Sequence, residues 1–73
     1  MREWLKKLRT DKGLSMKEMG KMLDISESYY CTIEKGERQK RMDMVLVAGL
    51  AAIFEIPITA VVEYETAWAA KNA

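Results

Sequence analysis

Seventy-three residues with one cysteine and no histidine make one small domain, close to the lower size limit for an independent core. Such a chain has no intramolecular disulfide framework, no CxxC or histidine pair for a structural zinc, and no imidazole to act as a general base. The net charge is only +1, yet residues 1–41 hold 11 Lys/Arg against 7 Asp/Glu, whereas residues 42–73 carry a net of −3. A basic front half and an acidic back half orient a molecule in the field of a polyanion. No apolar run approaches the roughly 20 residues needed to cross a bilayer, and no signal-peptide pattern starts the chain. A cytoplasmic protein with no membrane partner is expected.

Residues 2–12 fit an amphipathic helix. Trp4, Leu5 and Leu8 lie along one side at spacings of three and four, and Arg2, Lys6, Lys7 and Lys12 can face water. Gly13 supplies a C-terminal stop. Leu14 to Gly36 then reads as two short helices joined by a tight turn. Ser15-Met16-Lys17-Glu18 fits a capping box, with Leu14 and Met19 at the spacing of a hydrophobic staple. Met19, Met22 and Leu23 continue the apolar side. Asp24-Ile25-Ser26 breaks the period: Asp tolerates a left-handed backbone, and Ser26 is a good N-cap for the next helix. Ile25 and Tyr30 repeat the staple spacing, and Gly36 ends the second helix. Two helices separated by three residues outline a helix-turn-helix over 15–36.

The second helix, about 27–35, has two faces. Tyr30, Ile33 and Glu34 point toward the earlier helices, whereas Ser28, Cys31, Thr32 and Lys35 recur at i, i+3, i+4 and i+7 on the other side. Gly36-Glu37-Arg38-Gln39-Lys40-Arg41 is a polar basic loop. Asp43 caps a third strong helix, Met44 to Phe54, which is apolar nearly all round and belongs either at the centre of the core or under a partner. Pro57 marks the start of a last helix, about 58–70, carrying Ile58, Val61, Val62, Tyr64, Glu65 and Trp68.

The string from Leu14 to Gly36, Leu-Ser-x-x-Glu-Met-Gly-x-x-Leu-Asp-Ile-Ser-x-Ser-Tyr-Tyr-x-x-Ile-Glu-x-Gly, resembles the Cro/repressor (xenobiotic-response-element) family of small bacterial and phage regulators. The match covers roughly residues 3 to 62. The resemblance implies an all-α, five-helix, lambda-repressor-like domain that binds duplex DNA, with no cofactor, no metal and no catalytic constellation. It also implies a pair between Arg9 and Glu34, tying the first helix to the recognition helix; without it, two independent solvated charges are the simpler reading. Gly20 stands where the family has a small residue, usually Ala. Met16 departs from the family's Gln, which donates to a phosphate, and Lys17 could supply a substitute contact. The loop after Gly36 lacks the family's Pro and is longer by about two residues.

On this reading the outward face of the recognition helix enters the major groove, with Glu27, Ser28, Tyr29, Cys31, Thr32 and Lys35 as candidate contacts. Ser and Thr serve several bases, and Glu accepts from cytosine N4. Glu27 has a second role open to it, at the positive end of the helix dipole. Cys31 reads as a small contact residue, since there is no resolving cysteine. Arg38, Lys40 and Arg41 fit phosphate contacts, and a solvated loop is the plainer alternative. The expected function is a transcriptional regulator, a repressor, acting as a homodimer on a near-palindromic operator. Val61, Tyr64 and Trp68 of the 58–70 helix are its expected interface, and Trp68 folding back on the first helix is the alternative. The second functional reading is a protein-interaction module on the same fold, antitoxin- or antirepressor-like, which Glu27, Met16 and the low net charge favour.

Overall fold

The computed structural model describes residues 1–36 and 42–72, and among them the secondary structure is five α-helices. They are α1 (Glu3–Asp11), α2 (Met16–Leu23), α3 (Glu27–Lys35), α4 (Met44–Phe54) and α5 (Ile58–Lys71). The expected all-α, lambda-repressor-like architecture is the one observed. α3 packs chiefly on α2, α4 packs under α2, and α5 turns back by 116° from the end of α4.

The caps form where local chemistry places them. Ser15 Oγ accepts the Glu18 N–H at 3.1 Å while the Glu18 carboxylate accepts the Ser15 N–H at 2.9 Å, closing the capping box. Asp24 ends α2 in the left-handed region at φ 59, and Ser26 Oγ accepts the Tyr29 N–H at 3.0 Å to start α3. Asp43 Oδ1 accepts the Leu46 N–H at 2.7 Å to start α4. The turn between α2 and α3 is tight enough to need Gly20. A Cβ at Gly20 would lie 2.9 Å from the Ile25 carbonyl oxygen and 3.3 Å from the Glu27 nitrogen. The close approach is thus between α2 and the turn itself, and even the family's usual Ala would crowd it.

Every helix contributes to one core: Leu5, Met19, Tyr30, Ile33, Leu50, Ala51, Phe54 and Val61 are buried, with Trp4, Leu8, Leu14, Met16, Leu23 and others packed around them. Three expectations need correction. Arg2, placed on the watered side of α1, has no exposed surface. Its position, three residues before Leu5 and seven before Arg9, puts it on the inner face, where partners from α3 and α5 neutralise and bond it. Met22, placed on the apolar side of α2, is 52% exposed; α2 has one narrow inner stripe, centred on Met19 and Gly20. Val61, expected at a dimer interface, is fully buried in its own chain's core. At 100° per residue Val61, Tyr64 and Trp68 share one face of α5, and that face meets the start of the same chain, with Tyr64 still 44% exposed. Tyr64 stacks on Trp4 with ring centroids 5.7 Å apart, and Trp68 Nε1 donates to the Met1 carbonyl at 2.8 Å. Folding back, the alternative for Trp68, is what the structure has.

Candidate nucleic-acid interface

α3 is held by its inner face and leaves the outer one open. Tyr30, Ile33 and Glu34 are buried, whereas Glu27, Ser28, Tyr29 and Lys35 are exposed and Cys31 and Thr32 are half-buried. Ser28, Cys31, Thr32 and Lys35 form one stripe, and a helix presenting such a stripe of small polar groups with a terminal cation matches the geometry that enters a major groove. Thr32 Oγ1 donates to the Tyr29 carbonyl at 2.7 Å. Its oxygen can therefore accept from a base while the helix keeps its proton, and its methyl stays available for an apolar contact. Tyr29 lies at one edge of the stripe, beside a small hollow of about 110 Å³ shared with Leu23, Ile25 and the start of α4. Glu27 occupies the first turn of α3, where a carboxylate meets the positive end of the dipole. Lys17 is exposed in the first turn of α2. Met16 is half-buried and packs its side chain against the core. Arg38, Lys40 and Arg41 lie outside the described residues.

The inner anchor is Arg9. Its Nε and Nη2 donate to the two carboxylate oxygens of Glu34 at 2.9 and 3.1 Å, and Nη1 donates to the Leu14 carbonyl at 2.9 Å. Glu34 has no exposed side-chain surface and Arg9 has 11%. A two-pronged fork of this kind fixes orientation as well as distance. The Glu34 hydrogen bond raises the Arg9 pKa above its ordinary value against a smaller opposing effect of burial, so Arg9 stays charged. The Tyr30 hydroxyl is buried beside this pair. Burial, then the neighbouring Glu34 carboxylate, push its ionisation far above the usual phenol range, so it remains neutral.

Arg2 is the functional neighbour that sequence reasoning missed. It holds the same end of α3 as Arg9 does, bonding the α3 carbonyls of Ile33 and Glu34 and the Glu65 carboxylate of α5. The only signal was its place on the Leu5–Arg9 stripe. Among the described residues no cluster of His, Cys, Asp and Glu could hold a metal, and no single helix is long and apolar enough to cross a membrane.

A helix-turn-helix family pattern matches residues 5–61. YqaF of Bacillus subtilis (strain 168), an uncharacterized HTH-type transcriptional regulator, is 46% identical over 39 residues, which are 53% of this chain and 51% of that protein. The chain therefore spans about half the length of that relative. The crystal structure of the clp gene regulator ClgR from Corynebacterium glutamicum aligns with a TM-score of 0.73 at 20% identity, over 93% of this chain and 70% of that one. At that identity the likeness is one of fold. With the turn, the two caps and the matched span agreeing, the chain belongs to the Cro/repressor-type helix-turn-helix family.

Proposed function

We propose that this chain binds duplex DNA as a small transcriptional regulator of a bacterium or phage, acting as a repressor in the cytoplasm. One observation carries the reading. α3 is locked on its inner face by Arg9–Glu34 and Tyr30, yet shows outward a clean polar stripe of Ser28, Cys31, Thr32 and Lys35. Base edges are read by that stripe, with Glu27 and Tyr29 at its margins. Lys17 and the sequence-assigned cations Arg38, Lys40 and Arg41 meet phosphates, giving affinity without discrimination. Residues 1–73 act as one domain with no cofactor.

A homodimer completes the reading, and its surface differs from the Val61, Tyr64 and Trp68 face. Ile58 and Val62, 52% and 46% exposed, share the outward side of α5, and two-fold pairing is the commonest way to cover such residues. Two recognition helices about 34 Å apart would then meet successive major grooves. Selection of binding sites from random duplexes tests both parts. Near-palindromic winners whose affinity falls steeply with salt support a DNA-binding dimer; single half-sites leave a monomer. Thr32→Ala should lower discrimination among the winners by about 1–3 kcal/mol. No salt-dependent affinity for any duplex would point instead to a protein-interaction module.

A further inference from the structure

The end of α3 that leads toward Arg38, Lys40 and Arg41 is held from outside the helix-turn-helix unit. The last four carbonyls of a helix have no partner within it. Here the Arg2 backbone N–H donates to the Glu34 carbonyl at 2.7 Å, and Arg2 Nη1 donates to the Ile33 carbonyl. A guanidinium at this position also meets the negative end of the α3 dipole. Arg2 thus caps the recognition helix from another element. The same guanidinium is gripped by Glu65 of α5, with Nε and Nη2 each 2.8 Å from a carboxylate oxygen, and lies 4.3 Å from the centre of the Trp68 ring. Trp68 in turn rests on Gly36, the left-handed C-cap of α3. A Cβ at Gly36 would come within 2.7 Å of the indole, so ring and backbone are in direct contact. One cation therefore joins the last turn of α3 to α5.

We propose that Arg2, Glu65 and Trp68 are positioning residues for DNA binding, through which α5 sets the end of the recognition helix without touching the duplex. The proposal rests on the DNA-binding reading above. Its consequence is specific, because the clamp acts at the end of α3 remote from Ser28. Base readout starts from the N-terminal half of the helix, whereas the clamped end leads to the cations assigned to phosphates. Loosening the clamp should cost affinity on all sequences alike.

The test is duplex affinity of the full chain across a salt series, on a selected site and on a random duplex, for Trp68→Ala, Trp68→Phe and Glu65→Gln. Trp68→Ala should lose about tenfold on both duplexes and flatten the salt slope by about one contact. Trp68→Phe keeps a ring between Arg2 and Gly36 and should recover most of that loss. Glu65→Gln leaves the buried Arg2 cation without its counter-charge, so it should lose at least as much as Trp68→Ala on both duplexes and speed amide exchange at Gly36. Ile53→Val, in α4 away from the clamp, is the control for a general loss of stability and should leave the slope unchanged. Variants that bind as the parent does while the parent binds well would overturn the clamp alone, as would a slope change equal to that of Ile53→Val. A parent chain without salt-dependent affinity would overturn the DNA-binding reading, and the clamp with it.

Discussion

Arg2, just before α1, and Arg9, near its end, hold the same stretch of α3 by opposite means. Arg9 takes a side chain: its fork closes on Glu34, and its remaining nitrogen finds Leu14 just before α2. Every partner lies within the first half of the chain. Arg2 takes backbone, the Ile33 and Glu34 carbonyls, and has its charge neutralised by Glu65, 63 positions away. One contact stays within the first three helices, and the other sews them to the C-terminal helix. A charge can thus belong to a motif or to a tertiary seam, and the two are indistinguishable by composition.

The sharpest way to break this comparison is to empty one side of the Arg9 pair at a time. Arg9→Ala leaves the Glu34 carboxylate fully buried with its cation gone, which costs about 3–5 kcal/mol. Against a total of roughly 4–11 kcal/mol for a chain of this size, that approaches unfolding. Glu34→Ala leaves instead a long side chain already 11% exposed, which can carry its charge to water. Its loss should be smaller by about 1–2 kcal/mol. Urea midpoints of the two variants measure the asymmetry, and equal losses would mean that Glu34 finds water when Arg9 is absent.

What the sequence made legible follows the same division. Ser15, Asp24, Ser26, Gly36 and Asp43 act on backbone within four residues of themselves, so their roles can be read from neighbours alone. The Arg9–Glu34 contact spans 25 positions and became visible only through the resemblance of the surrounding string to a known family. Arg2 had neither help. Its local context, an N-terminal cation beside Glu3 and Trp4, is that of a solvated residue, and its partners Glu65 and Trp68 lie in the part of the chain beyond the recognisable match. The packing of Val61, Tyr64 and Trp68 against their own chain was hidden for a different reason. An apolar stripe on a last helix looks alike whether its cover is a second molecule or the chain's own first turn.

Gly20→Ala sharpens the contrast from the local side. In an ordinary helix this change stabilises by about 0.5–1 kcal/mol. Here the added methyl meets the Ile25 carbonyl at 2.9 Å, within the turn that sets α3 against α2. Backbone cannot give way as a side-chain tip does, so the crowding should outweigh the propensity gain, with a net loss of about 1 kcal/mol. A melting temperature below that of the parent is the expected result. A rise would show that the turn relaxes freely and that its tightness is incidental to the placing of α3.

The smallest effect is a matter of protons at the capping box. Glu18 is held below its ordinary value of 4.5, first by the Ser15 backbone N–H that its carboxylate accepts and then by the Ser15 side chain. Both favour the charged form, which also suits the positive end of the α2 dipole. A carboxylate depressed on folding adds stability that is complete above its unfolded pKa and fades as pH falls through the folded one. Parent and Glu18→Ala should therefore differ by a constant amount near neutrality and converge in acid, as pH falls through the lowered pKa of the folded carboxylate. Glu18→Gln, which can still accept through its amide oxygen but has no proton to gain, should show no such convergence relative to Glu18→Ala. Because the group is open to solvent, added salt should shrink the parent's advantage while leaving that of Glu18→Gln nearly intact. Denaturation of the three proteins at two pH values and two salt concentrations decides it. No parent advantage over Glu18→Ala at neutral pH would assign the cap to the Ser15 hydroxyl alone, with Glu18 a bystander on the surface of α2.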